Sequence, residues 1–319
     1  MKESEGLRVE ADKSIGFLGP EGTFTQEALA TQRDLRGFNL IPYGSIDLIL
    51  NAVQKDEIGF GFVPIENSIE GTVAATIDSL IFDYDVVIIR EVIHDIHLQL
   101  LGLPGASKEN LTEIWSFSHA FAQCRKFLAA ELPKAELKES TSTADGALRV
   151  SCTDSPSIAA IAPRVAGEIY GLAELATDIE DHQGNQTRFF LVRKDRIPKP
   201  TGDDKTAVAC FQLADAPGSL FSILAEFAAR NINLTKLESR PSKLELGQYC
   251  FIIEFDGHVG SPVVADLFLS LKRKLAGIKF LGSFPRATTN RPATSNLLDS
   301  KKDAETLWIK EIQSRIDAD

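Results

Sequence analysis

The sequence predicts a two-lobed α/β region followed by a smaller α+β domain with ferredoxin-like element order. Three observations carry that expectation. Strand-like apolar runs alternate with helical stretches from Ser14 to Arg193, the pattern of a mostly parallel sheet covered by helices. The stretch Lys194–Asp204 carries Pro, Gly and charge without apolar periodicity, which marks a linker. Beyond it, from 205 to 285, the order becomes β-α-β-β-α-β.

In chain order, the first strand is Ser14–Leu18, followed by a Gly/Pro turn and a helix over Thr25–Thr31. Strands are expected at Asn39–Tyr43, Ile58–Ile65 and Val86–Val92, with helices at Ile46–Gln54 and Val73–Phe82 between them. A second cycle reads Glu113–Phe117 as strand, Ala120–Glu131 as helix and Glu136–Glu139 as strand. Two Ala-rich helices, Thr143–Cys152 and Ser157–Tyr170, come next, and Arg188–Arg193 closes the region as a strand free to return to the first sheet. The chain therefore divides into one lobe of about 14–93 plus 177–193 and another of about 94–176, with a cleft between them. In the small domain, Lys205–Leu213, Ile232–Leu237, Gln248–Asp256 and Ile278–Leu281 read as strands, and Pro217–Arg230 and Ser261–Leu275 as helices. The tail 286–319 is polar at first and then amphipathic over Ala304–Ile316.

Composition narrows the function classes. The 319 residues are 44% hydrophobic and 25% charged, as in an ordinary globular protein. Thirty-four Lys and Arg against 45 Asp and Glu give a net charge of −11, which argues against nucleic acid, whose phosphates demand clustered cations. No apolar run approaches the ~18 residues of a membrane span, and the start of the chain lacks the apolar centre of a signal peptide, so the expected address is cytoplasmic, with no membrane partner. Cys124, Cys152, Cys210 and Cys250 form no C-x-x-C pair. His94 and His97, three apart on an extended strand, point to opposite faces and do not make a shared metal site. Neither metal nor cofactor is expected.

Several polar segments sit where strands give way to loops or helices. The turn Gly16–Thr23 has the spacing G-x-x-G-x-x-G rather than G-x-G-x-x-G, and Pro20 and Glu21 oppose a pyrophosphate, so a nicotinamide site is disfavoured. Thr23 and the free amides of the following helix can still hold a smaller anion. Glu66, Asn67 and Ser68 follow a hydrophobic strand at the edge where α/β sheets place ligands, although three polar residues before a helix can equally be capping. Ser118 and Gln123 open the next helix, where a cap and a ligand contact are both open, and Ser118–His119 is not a nucleophile–base pair because adjacent side chains rarely converge. Thr187 and Arg188 combine a hydroxyl with a guanidinium suited to a carboxylate; the alternative is an Arg188 ion pair with Glu180 or Asp181.

Taken together, GFLGPEGTFTQEAL (16–29), PIENSIEGTV (64–73), TRFF (187–190) and ESRP (238–241) resemble the prephenate dehydratases that end in an ACT domain. The resemblance spans about Ile15 to Pro285. It implies a catalytic region like the type II periplasmic binding proteins, with the active site between the lobes, and an ACT domain over 205–285. It also implies decarboxylating dehydration of prephenate to phenylpyruvate in phenylalanine biosynthesis. Thr187, Glu66 and Arg188 take the catalytic roles under this resemblance, with Thr23, Asn67, Ser68, Ser118, Gln123 and Phe189 around the substrate. Gly218, Ser219, Leu220, Asn233, Leu234, Glu238, Ser239 and Arg240 correspond to positions that bind inhibitory phenylalanine between paired ACT domains, so a homodimer or homotetramer is implied. The run SHAFAQC (118–124) is two residues shorter than usual, and Ser219 replaces the usual alanine. About 14 residues precede the first strand, so the chorismate mutase activity of the family's bifunctional members is expected to be absent. The rivals are an arogenate dehydratase and a non-catalytic amino-acid sensor.

Overall fold

The computed structural model describes residues 13–212, 216–243 and 248–287. The chain begins with β1 (Ser14–Leu18), α1 (Phe24–Ala30), β2 (Asn39–Tyr43), α2 (Ile46–Gln54), β3 (Phe60–Asn67), β4 (Gly71–Thr72), α3 (Ala74–Asp78) and β5 (Val87–Asp95). It then crosses to a second lobe made of β6 (Gln99–Gly102), β7 (Glu113–Ser116), α4 (Ser118–Gln123), α5 (Arg125–Glu131), β8 (Glu136–Glu139), α6 (Thr143–Ser151), β9 (Ile158–Ala162), α7 (Arg164–Tyr170) and β10 (Ala173–Ala176). The return crossing leads into β11 (Gln186–Arg193), back in the first lobe. The C-terminal unit is β12 (Asp204–Phe211), α8 (Ser219–Ala229), β13 (Leu234–Pro241), β14 (Tyr249–Asp256), α9 (Pro262–Lys274) and β15 (Gly277–Pro285).

Both lobes share one topology. The first runs β2-β1-β3-β11-β5 and the second β8-β7-β9-β6-β10. In each, the strand that follows a crossing lies antiparallel to its neighbours: β11 against β3 and β5, β6 against β9 and β10. The other pairs at β1 and β7 are parallel. This is the two-lobed arrangement expected from the sequence, and it is followed by the βαββαβ order.

Local chemistry explains where the expected elements shift. Ser157–Tyr170, expected as one helix, is the strand β9 and the helix α7. Pro163 divides them: it lacks the N–H a ladder needs but suits the start of a helix, where it forms the N-cap. Ile-Ala-Ala-Ile-Ala is buried on both faces, so it shows no alternation and its alanines mimic a helix. Strand β6 is likewise buried along its whole length and shows no alternation, whereas β10 is a short, partly exposed strand of four residues. The helix expected over Ala120–Glu131 breaks at Cys124, whose φ of −112° and ψ of 18° leave the helical region. The stretch Val73–Phe82 becomes α3 and a wide π-type turn over Ser79–Asp83. The helix expected at Ala304–Ile316 lies outside the described residues.

The first-lobe sheet separates two cores. On one face Phe17, Phe62, Phe189 and Leu191 pack beneath α1. On the other, Ile65, Phe190 and Val192 pack with Ile49, Leu50 and Val53 of α2, and this core continues into Ala207, Ala209, Ile252 and Phe284 of the C-terminal unit. The C-terminal sheet is thus covered on both faces, by its own helices through Val208, Ile253, Phe255 and Leu267 and by the first lobe. Gly282 of β15 makes the closest approach: a Cβ there would lie 2.2 Å from the carbonyl oxygen of Ile88. Only glycine permits it.

Candidate active site

Between the lobes lies a cavity of about 310 Å³. Its walls come from both sides: Thr23, Pro64, Asn67, Glu70, Asn185 and Thr187 on one, Phe117, His119, Gln123 and Thr141–Thr143 on the other. Among its described lining residues there is neither Lys nor Arg.

Strand alternation delivers the reactive groups. On β11, Thr187 faces the cavity and Arg188 faces away. A β-bulge in the pairing of β3 with β11 falls between Arg188 and Phe189, opposite Glu66 and Pro64. The extra residue, Ile65, lets both Pro64 and Asn67 line the cavity while Glu66 turns to the far side.

The Asn67 amide donates to Thr187 Oγ1 and to Asn185 Oδ1, each at 2.9 Å. Its own Oδ1 accepts from the amides of Ile69 (2.9 Å) and Glu70 (3.1 Å), which fixes the side chain and identifies its nitrogen as the donor. Because Thr187 accepts from Asn67, its own hydrogen is left to donate into the cavity. Asn185, almost fully buried on the return crossing, spans the cleft by donating to Gln123 Oε1 at 3.2 Å. Ser68 does not line the cavity; its hydroxyl donates to Asn185 at 3.3 Å and accepts from the amide of Gln186 at 2.9 Å. A second bridge across the cleft joins His119 Nδ1 to Glu70 Oε1 at 2.6 Å.

Of the expected site residues, the structure brings together Thr187, Asn67, Gln123 and Thr23, the last with its hydroxyl donating to the Leu18 carbonyl at 3.1 Å. The shortened segment before Cys124 still carries Gln123 to the wall. Besides Ser68, four expectations need correction. Glu66 accepts from Lys236 at 3.0 Å on the sheet face away from the cavity, so it is not poised to protonate a ligand there. Arg188 lies outside the cavity wall and pairs with neither Glu180 nor Asp181; it is clamped by Glu91 and Glu254. Phe189 shares the face of Thr187 but is buried, stacked on Phe62 with ring centroids 5.0 Å apart. Ser118 is the first residue of α4 rather than its cap, which is Phe117, and is not part of the wall. Asn185, Glu70, His119 and Thr141–Thr143 were not singled out as site residues; their proximity is set by the two crossings and carries no local signal beyond the helix cap Ser142. His94 pairs with Glu27 (3.0 Å) and His97 with Glu180 (3.1 Å), so the two rings do diverge.

The pattern of the family described as prephenate dehydratase matches residues 15–197, and that of the ACT domain matches 210–272. The chain belongs to the prephenate dehydratase family. A prephenate dehydratase of Amycolatopsis methanolica is 37% identical over 94% of this chain and 97% of its own. A bifunctional chorismate mutase/prephenate dehydratase of Pseudomonas aeruginosa is 38% identical over 89% of this chain and 76% of its own. The solved prephenate dehydratase of Arthrobacter aurescens, in complex with L-Phe, superposes with a TM-score of 0.79 at 38% identity, covering 94% of this chain and 99% of that one.

In this family member, the ACT positions are divided between two surfaces. On β13, Lys236, Glu238 and Arg240 face the first lobe: Glu238 accepts from Thr72 at 2.8 Å and Arg240 donates to Asp78 at 2.8 Å. Ser239 and Leu237, one residue out of phase, are exposed on this edge strand. Gly218, at φ 84°, caps α8; Ser219 Oγ accepts from Gln212 at 2.8 Å and Leu220 packs on the ACT core. Asn233 donates to Asp256 at 3.2 Å at the start of β13, beside Leu234.

Proposed function

We propose that the protein is a prephenate dehydratase that acts in the cleft around Thr187 and is inhibited by phenylalanine at its ACT domain. The single observation that carries the reading is the Thr187 hydroxyl, which accepts from Asn67 and lines an interlobe cavity of small-molecule size. Prephenate loses its ring carboxylate as carbon dioxide; the electron pair moves into the ring, and the ring hydroxyl departs as water, taking up one proton drawn from solvent. Aromatisation supplies the driving force, so the site need only assist the leaving oxygen. A threonine hydroxyl is too weak an acid to ionise near neutrality. Thr187 therefore acts as a donor whose hydrogen bond strengthens as charge develops on the departing oxygen.

A wall without Lys or Arg among its described residues suits this chemistry. A cation on the ring carboxylate would stabilise the ground state, whereas a weakly polar wall favours release of neutral carbon dioxide. In this reading the catalytic region is 14–193 and the ACT domain 205–285, joined by 194–204. Gly218–Leu220, Asn233, Leu234 and Ser239 receive the effector between ACT domains of a homodimer or homotetramer, and the enzyme works in the cytoplasm without cofactor or metal.

The test is to incubate purified protein with prephenate and follow phenylpyruvate, with and without phenylalanine, with arogenate in parallel. Phenylpyruvate formation slowed by phenylalanine is expected. Absence of turnover with saturable prephenate binding would make the protein a sensor instead, and a sedimenting monomer would remove the paired ACT domains.

A further inference from the structure

We propose that Arg188 is a positioning residue that carries effector occupancy of the ACT domain to Thr187, through a buried clamp on Glu254 and Glu91. The inference rests on the prephenate dehydratase reading above and specifies its regulation. On the face of β11 opposite the cavity, the Arg188 guanidinium grips Glu254 of β14 in fork geometry, Nη1 to Oε1 at 2.9 Å and Nη2 to Oε2 at 2.5 Å. Its Nε donates to Glu91 of β5 at 2.7 Å, and its plane lies 4.7 Å from the Phe190 ring. Glu91 in turn accepts from Lys205 of β12 at 2.9 Å and from the amide of Ala287 at 2.8 Å. Both carboxylates are essentially inaccessible and both cations nearly so. The Arg188–Glu91 pair thereby ties two strands of the catalytic lobe, β11 and β5, to two of the ACT sheet, β14 through the guanidinium and β12 through Lys205.

Its position makes the tie consequential. Arg188 follows Thr187 directly, so any displacement of the guanidinium turns the peptide that carries the hydroxyl. The β-bulge lies at the same step of the ladder, where β3 can yield without breaking its remaining pairs. Beside the clamp, β13 reaches the adjoining motif: Lys236 bonds Glu66, and Glu238 bonds Thr72, which pairs with Glu66 across β3 and β4. Movement of β13 and β14 on effector binding is therefore delivered at two neighbouring points, behind Thr187 and behind Asn67. A planar bidentate pair in a dry environment resists sliding, which a single exposed ion pair does not.

The test compares the parent with Glu254→Gln in the full chain. This variant keeps the shape and one acceptor but removes the charge that holds the fork. Calorimetric titration with phenylalanine should still show saturable binding, and uninhibited kcat should stay within about threefold. The loss of kcat/KM at saturating phenylalanine, which allosteric couplings set at ~5–150-fold, should fall to less than about twofold. If Glu254→Gln does not fold, Glu254→Asp is measured the same way: it keeps the charge but is one methylene too short to hold the fork, and the same uncoupling is expected. Unchanged inhibition by phenylalanine in whichever variant folds, even with a lowered melting temperature, would overturn the proposal and leave the enzyme reading intact. A parent that never turns over prephenate fails at that earlier reading and takes the coupling with it.

Discussion

Thr187 and Asn67 come from strands that lie 120 residues apart in sequence yet share one hydrogen bond of 2.9 Å. Each has its other groups committed in a way that leaves one function. Asn67 holds two backbone amides of its own turn, so its nitrogen is locked toward Thr187; Thr187 accepts there, so its hydrogen stays free to donate toward the cavity. Thr187→Ala is therefore expected to lower kcat by ~10²–10³-fold, the usual cost of one preorganised donor, with an unchanged melting temperature. Thr187→Ser, which keeps the oxygen, should retain activity within about tenfold. Steady-state rates on prephenate decide the matter, and an Ala variant as active as Ser would remove the hydroxyl from the chemistry. Arg188 teaches the converse. A guanidinium beside a catalytic hydroxyl invites assignment to substrate, but the two-residue period of a strand sends neighbours to opposite faces, and here the opposite face is an interdomain seam.

At the scale of elements, apolar runs identified even doubly buried strands such as β1 and β14, and failed where alanines made the run resemble a helix. The sequence IAAIA (158–162) is nearly as good a helix pattern as a strand pattern, and Pro163 is the one local sign that an element ends there. The β15–β5 contact is another feature invisible to periodicity. Gly282, at φ 149°, touches the Ile88 backbone so closely that a methyl group would overlap it. Gly282→Ala should destabilise the protein by about 2 kcal/mol or more, through steric overlap with backbone that cannot swing aside. Chemical denaturation measures this; a change under about 0.5 kcal/mol would mean that the ACT sheet and the first lobe separate easily at this edge.

For the whole molecule, the seam between ACT sheet and catalytic lobe combines an apolar core with buried charge. Burial pushes the Glu91 carboxyl up, but the Arg188 and Lys205 charges outweigh it and hold the group below its ordinary value of 4.5. A carboxylate depressed in this way adds stability that is complete above pH 4.5 and is lost as pH falls through the lower folded value. Glu91→Gln leaves two buried cations short of a partner and should cost ~3–5 kcal/mol near pH 7. That deficit relative to the parent should shrink in acid below pH 4.5, because there the parent loses the same charge. Urea titrations at several pH values test this, and a deficit independent of pH would show that Glu91 acts by shape alone.

The sequence by itself determined the strand–helix alternation, the linker, the βαββαβ order and the family, because each is written in local period, in turn residues or in short contiguous motifs such as PIENSIEGTV and TRFF. It also nominated Thr187, Asn67 and Gln123. What only the tertiary structure decided was direction. Whether Glu66, Arg188, Glu238 and Arg240 point at a ligand or at another domain depends on a bulge, on strand parity and on which surface covers the far side of a sheet. Those are properties of the packed assembly: a side chain's chemistry fixes what it can bind, but the sheet that carries it fixes whom it meets.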